Sequence, residues 1–192
     1  MRKGRLEAFS DGVIAIIITI MVLELKVPEG SQAKDLWRLW PIFLSYILSF
    51  VNIGIYWNNH HHLLQAAHRI NGTILWANLH LLFWLSLVPF FTAWMGEHHF
   101  AEFPTFAYGC VLLVAAVAYY ILQRTIVIED GPDSKIAAAL GRDIKGKISP
   151  LVYLAALPLA FLFRWVSLVL YFAVAVMWII PDRRMEIAVA EE

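Results

Sequence analysis

Arg5-Leu6-Glu7-Ala8-Phe9-Ser10-Asp11-Gly12-Val13-Ile14-Ala15-Ile16-Ile17-Ile18-Thr19-Ile20-Met21-Val22-Leu23 decides how this chain is read. The run is apolar enough for a membrane, yet Arg5, Glu7 and Asp11 stand at its start, with Glu24 and Lys26 just past its end. The uncharged interval between Asp11 and Glu24 falls short of the roughly 20 apolar residues that cross the hydrocarbon layer. Charge at such depth marks function when it faces a bundle interior or water. The central expectation is therefore that this helix lines an ion pathway. The plain alternative is that its two ends simply reach the headgroups.

The rest of the chain supports a membrane protein. Of 192 residues, 60% are hydrophobic and 16% charged, against about 25% charged in soluble domains. Mean hydropathy is +0.66. Formal net charge is zero, so composition makes no case for nucleic-acid binding. Cys110 is the single cysteine, which excludes an intrachain disulfide and reads as a small packing residue. The first apolar segment lacks a small-residue cleavage site, so no cleavable signal peptide is expected. GxGxxG, P-loop, paired CxxC and HExxH motifs are absent from the sequence. That argues against an enzyme, a cofactor or a bound structural metal.

Uncharged stretches predict an all-α protein with six transmembrane helices in one domain, 1–192. They fall at about 5–27, 37–62, 70–95, 103–126, 147–163 and 165–181, the last two a hairpin turned at Arg164. The runs are continuous rather than alternating, which excludes a barrel. Arg2, Lys3, Arg5, Arg69, Arg124, Lys135, Arg142, Lys145, Lys147, Arg183 and Arg184 would share one side. Lys26, Lys34, Arg38 and Arg164 would share the other. The richer side is cytoplasmic by the positive-inside rule, so both termini are expected in the cytoplasm. The outer side carries Glu24, Glu29, Asp35, Glu97 and Glu102, an acidic bias that either concentrates cations or is ordinary loop solvation. In the longest polar connection, Asp133-Ser134 reads as a cap for a short amphipathic helix over Lys135–Leu140. The tail after Pro181 is expected to be flexible.

His60-His61-His62 at the end of the second span, with His68 nearby, invites a metal reading. Adjacent helical residues point about 100° apart, so consecutive histidines cannot converge on one ion. One histidine facing the bundle is the simpler expectation. Asn52, Tyr56 and His60 follow at i, i+4 and i+8, and the third span carries Asn78, His80 and Trp84. Such groups bond across helices in a membrane and offer partners to Ser10 and Asp11. On a helical wheel Ile16, Ile20 and Leu23 share a face with Phe9 and Gly12. Several copies around an axis would stack those side chains into rings able to gate by dewetting. A rival face, Ala15–Thr19–Val22–Lys26, is smaller and more polar. Because the segment is apolar all round, periodicity leaves the phase open.

Arg5-x-x-x-Phe9-Ser10-Asp11 at the start of the first of six helices resembles the signature of the transmembrane protein 175 family. The likeness extends to the His-rich end of the second helix and to Trp84 followed by Pro89. Members are potassium-permeable channels of bacteria and of animal endosomes and lysosomes. The one-unit bacterial form is tetrameric, so the resemblance implies a homotetramer in the cell membrane, conducting K+ and other monovalent cations. It also implies that the first helix lines the central pore. The narrowest apolar ring then falls at Ile16, with further rings at Ile20 and Leu23 and a hydroxyl at Thr19. Glu24 is a further polar candidate at the pathway. Arg5, Phe9, Ser10 and Asp11 would belong to a structural network, with His60, Asn78, His80 and Trp84 as proposed partners. No T-V-G-Y-G stretch occurs, so a carbonyl-cage filter is not expected. A proton-coupled or small-solute transporter using Asp11 and His60 as relay groups is the alternative from another class, although neither internal repeats nor broken midplane helices stand out, apart from Pro89 and Pro158.

Overall fold

Apolar runs in lipid must satisfy their backbone internally, and every element here is helical. The computed structural model describes residues 3–140 and 144–179. Among them the order is α1 (Lys3–Leu23), α2 (Ala33–Trp37), α3 (Trp40–Ala66), α4 (Gly72–Ser86), α5 (Val88–Glu97), α6 (Glu102–Asp130), α7 (Lys135–Leu140), α8 (Ile144–Leu162) and α9 (Arg164–Ile179). Arg2, Arg142, Arg183 and Arg184, counted above among the loop cations, lie outside the described residues, as does the tail after Pro181.

Among the described residues, five helical stretches are long and apolar enough to cross a membrane: Lys3–Leu23, Trp40–Ala66, Gly72–Glu97, Glu102–Asp130 and Ile144–Leu162. The shorter apolar helix Arg164–Ile179 folds back on α8. Local chemistry sets the boundaries. α1 stops at Leu23, and Pro28 soon afterwards bars its resumption. Pro41 sits in the first turn of α3, where its missing N–H costs nothing. Asn71 caps α4, its side chain accepting from the Ile74 N–H at 2.9 Å. α6 ends at Gly131, whose φ of +95° disfavours any residue with a Cβ.

The third membrane stretch is interrupted at Leu87, between α4 and α5, whereas the uncharged run predicts one helix over about 70–95. Pro89 lies in the first turn of α5 and has no N–H for the carbonyl one turn back. α2 and the end of α1 also differ from the expected bounds: a five-residue helix fills part of the first loop. α7 occupies Lys135–Leu140, and the Ser134 hydroxyl accepts from the Ala137 N–H at 3.2 Å.

Lipid tails are as apolar as leucine, so close approach and hydrogen bonds must hold these helices together. α1 packs on α3, α4 and α5; α6 packs on α4, α5 and α8; α8 pairs with α9. At Gly109 of α6 an added methyl would run into the Tyr171 hydroxyl, and at Gly96 of α5 into the Ser45 hydroxyl. Gly109→Ala is therefore expected to lower stability by about 1–3 kcal/mol through overpacking, measured as thermal unfolding in detergent. A wild-type melting curve would show that Tyr171 moves freely. Between α3, α5 and α6, Thr92 donates to the Val88 carbonyl at 2.7 Å and meets Ser49 at 2.6 Å. Ser49 is also 3.0 Å from the Tyr108 hydroxyl. With the Thr92 proton used, Ser49 donates to Thr92 and Tyr108 donates to Ser49.

The two ends of the bundle differ in character. At one, Phe100 is buried between Trp40 and Trp165, with ring centroids 5.8 and 5.7 Å away. There Lys26 bonds Glu97 at 2.7 Å. At the other, Lys3 donates to the Gln65 carbonyl at 2.5 Å, and the Asp130 carboxylate accepts from the His68 and Arg69 N–H groups at 2.9 and 3.2 Å. The Glu97 hydrogen bond and charge hold the Lys26 ammonium above its ordinary 10.5. A raised cation pKa means that the pair's contribution is complete below that ordinary value and fades as pH rises through the higher folded one. The pair is solvent-exposed, so Lys26→Ala is expected to shift the melting temperature by about 2 °C or less near neutral pH. The difference should vanish in strongly alkaline buffer.

Candidate pore-lining helix and its polar clasp

The packing gives α1 two distinct sides. Leu6, Ser10, Ile14, Ile17 and Met21, spaced by three or four residues, are buried against the bundle. Phe9, Ile16, Ile20 and Leu23 are exposed, Ile16 to 59% and Leu23 to 76%. Thr19 is exposed beside them, and its hydroxyl donates back to the Ala15 carbonyl at 2.8 Å. That leaves only its oxygen lone pairs facing outward. Ala15 and Val22 are exposed too, so the open side spans both faces that the wheel left in play. Glu24 follows the helix, exposed.

The buried side is fastened by three polar groups from three helices. The Ser10 hydroxyl of α1 donates to the Leu6 carbonyl at 2.9 Å and accepts from the Asn78 amide of α4, also at 2.9 Å. Asn78 Oδ1 lies 2.7 Å from His60 Nε2 of α3. Since the Asn78 amide nitrogen donates to Ser10, its oxygen must accept, so His60 carries its proton on Nε2. Ser10, Asn78 and His60 are all at or below 1% exposed. In hydrocarbon an unmade bond has no water to replace it, which ties α1, α3 and α4 into one arrangement.

Asp11 points some 100° away from Ser10 around the helix and so joins a different partner. Its Oδ1 accepts from Trp57 Nε1 of α3 at 3.0 Å. Trp57 was passed over in the sequence; an indole N–H at a span end, needing an acceptor, was the signal that pointed to it. Arg5 is exposed and has no hydrogen bond or ion pair among the described residues, and Phe9 is equally exposed. His80 and Trp84 stay off the clasp as well. Trp84 Nε1 donates to His80 Nε2 at 3.0 Å on the outer side of α4, which puts the imidazole proton on Nδ1. They are two residues or more from Asn78, and that turns their side chains away from α1. Among the described residues no three His, Cys, Asp or Glu side chains converge on a possible metal position. Stacking of Trp57 on His61, at 5.9 Å, accounts for one member of the histidine run.

These features define a class: a multi-pass α-helical membrane protein whose first helix is bonded to the bundle along one side and bears a stripe of branched apolar residues along the other. Residues 5–89, from the signature arginine to the proline that breaks the third stretch, match the family described as endosomal/lysosomal potassium channel TMEM175. A protein of Chryseobacterium sp. (strain P1-3), named a potassium channel, is 52% identical over 191 residues, covering 100% of both chains. Another so named, from Streptomyces collinus, is 33% identical and covers 83% of this chain and 82% of its own. The crystal structure described as a lysosomal potassium-selective channel TMEM175 homolog from Chamaesiphon minutus superposes with a TM-score of 0.77 at 31% identity, over 94% of this chain and 97% of that one. The chain belongs to the TMEM175 family.

Proposed function

We propose that this protein is a potassium-permeable cation channel of the plasma membrane, a homotetramer of single-domain, six-span subunits with both termini cytoplasmic. α1 of each copy stands around the central axis, and Ile16, Ile20 and Leu23 form successive apolar rings that gate the path and set its selectivity. Thr19 supplies oxygen lone pairs between the rings, and Glu24 draws cations to the outer mouth. Ser10, Asp11, His60 and Asn78 hold the helix from behind; K+ passes without a cofactor.

The observation that carries this reading is the two-sidedness of α1, bonded through Ser10 and bare at Ile16. Length supports a pathway over lipid on the bare side. The uncharged interval Gly12–Leu23 rises only about 18 Å, well under the roughly 30 Å of hydrocarbon. α9, with its 16 described residues rising about 24 Å, counts as the sixth span. The relatives' names support the choice of ion. The basic residues at the Lys3–Asp130 end support a cytoplasmic placement of that end.

Purified protein in a planar bilayer tests the proposal. Under opposed potassium and sodium gradients the reversal potential is expected to move toward the potassium equilibrium value. Flux that saturates with a solute, or that requires a proton gradient, would replace the channel with a transporter.

A further inference from the structure

Away from α1, a cavity with about 40 Å³ of internal room, open on one side, lies between α3, α6, α8 and α9. It is lined by Asn52, Tyr56, Gln123, Ser149, Tyr153 and Trp178, among others. Among the described residues no charged side chain lines it, although the Lys145 ammonium lies 6.0 Å over the ring of Trp178. Ser149 is engaged, donating to the Lys145 carbonyl at 2.8 Å and accepting from Trp178 Nε1 at 2.8 Å. Tyr153 and Gln123 are different: they are 3% and 5% exposed and make no hydrogen bond among the described residues. Nor are their polar atoms sealed in, as His62 Nδ1 and Thr105 Oγ1 are, so they reach the cavity. Tyr56 is likewise without a hydrogen bond and lies on the same wall.

Buried donors and acceptors at membrane depth need polar partners. The aromatic walls favour a flat ring: Tyr119 stands edge-on to Tyr56 and to Trp178, at 6.1 and 6.3 Å. An ion entering here would lose its hydration, and a cation would meet no carboxylate among the described lining residues. We infer that each subunit carries a binding site, separate from the α1 face, for a small uncharged aromatic molecule bearing an amide or hydroxyl group. Tyr153 and Gln123 hold the polar group, and Tyr119 and Trp178 flank the ring. The site does not depend on the channel reading, because α1 contributes nothing to its lining.

Benzamide and 4-iodophenol serve as probes against full-length protein in nanodiscs, with benzoate and benzylammonium as charged counterparts of similar size. Saturable binding of one neutral probe per chain is expected, with the charged pair at least about tenfold weaker. Iodophenol should quench fluorescence that is lost in Trp178→Phe. Tyr153→Phe with Gln123→Leu should weaken benzamide at least about tenfold. Ala116→Leu, which fills the cavity from α6, should abolish binding of both probes while bilayer currents persist. Tyr153→Phe alone keeps the ring and guards against a folding failure in the double variant. Non-saturating uptake, equal binding of the charged probes, or binding untouched by Ala116→Leu would overturn the inference.

Discussion

Replacing Ile16 with asparagine is expected to raise single-channel conductance by about tenfold or more and to blunt discrimination between potassium and sodium. In the proposed tetramer, an ion at an isoleucine ring would shed water against side chains that offer nothing in return. Four amides at that level would supply oxygens and keep the passage wet. Removing only about 1.4 kcal/mol of barrier changes a rate tenfold, and in the proposed tetramer four side chains change at once. The substitution should leave folding intact, because Ile16 is 59% exposed on its own subunit and belongs to no buried contact. Ala15→Asn provides the comparison. It lies on the same open side but on the rival stripe, so its effect on current should be much smaller. Conductance unchanged in Ile16→Asn but raised in Ala15→Asn would transfer the constriction to the Ala15–Thr19–Val22 face.

Asn78→Leu is expected to lower the melting temperature in detergent by about 4–8 °C, corresponding to about 2 kcal/mol. Leucine matches the amide in size but takes away both bonds: the His60 N–H loses its acceptor, and Ser10 loses its donor. Interhelical hydrogen bonds in membranes contribute about 0.6–1.7 kcal/mol each, and a buried group left unpaired adds to the cost. Ser10→Ala removes the Asn78 contact and the hydroxyl's bond to the Leu6 carbonyl but leaves His60 paired with Asn78, so it should fall between Asn78→Leu and wild type. Ile16→Asn should melt with wild type, which separates a gating effect from a folding effect. A wild-type melting curve for Asn78→Leu would mean that packing alone seats α1.

Trp57 and Asn78 show how far single residues could be read from sequence. Both stand in spans that the uncharged runs located, and Asn78 was named beside Ser10 because polar groups in lipid seek partners. Helical spacing pairs His80 with Trp84 at i, i+4, but nothing local said that Asp11 would take the indole. That choice depends on which way a helix faces, and this is decided by its neighbours. The Leu87 interruption was legible in principle from Pro89, since proline removes a backbone donor wherever it falls.

Composition and uninterrupted apolar runs were enough to establish a helical membrane protein, its main spans, and the placing of Ser10 and Asp11 at the head of the first. Those properties follow from short-range chemistry: residue polarity, backbone bonds closed within one helix, proline and glycine at the ends. Tertiary structure alone chose which side of α1 is covered. That helix is oily around its whole circumference, so the side it buries is fixed by neighbours distant in sequence, among them Asn78, 68 positions from the Ser10 it bonds.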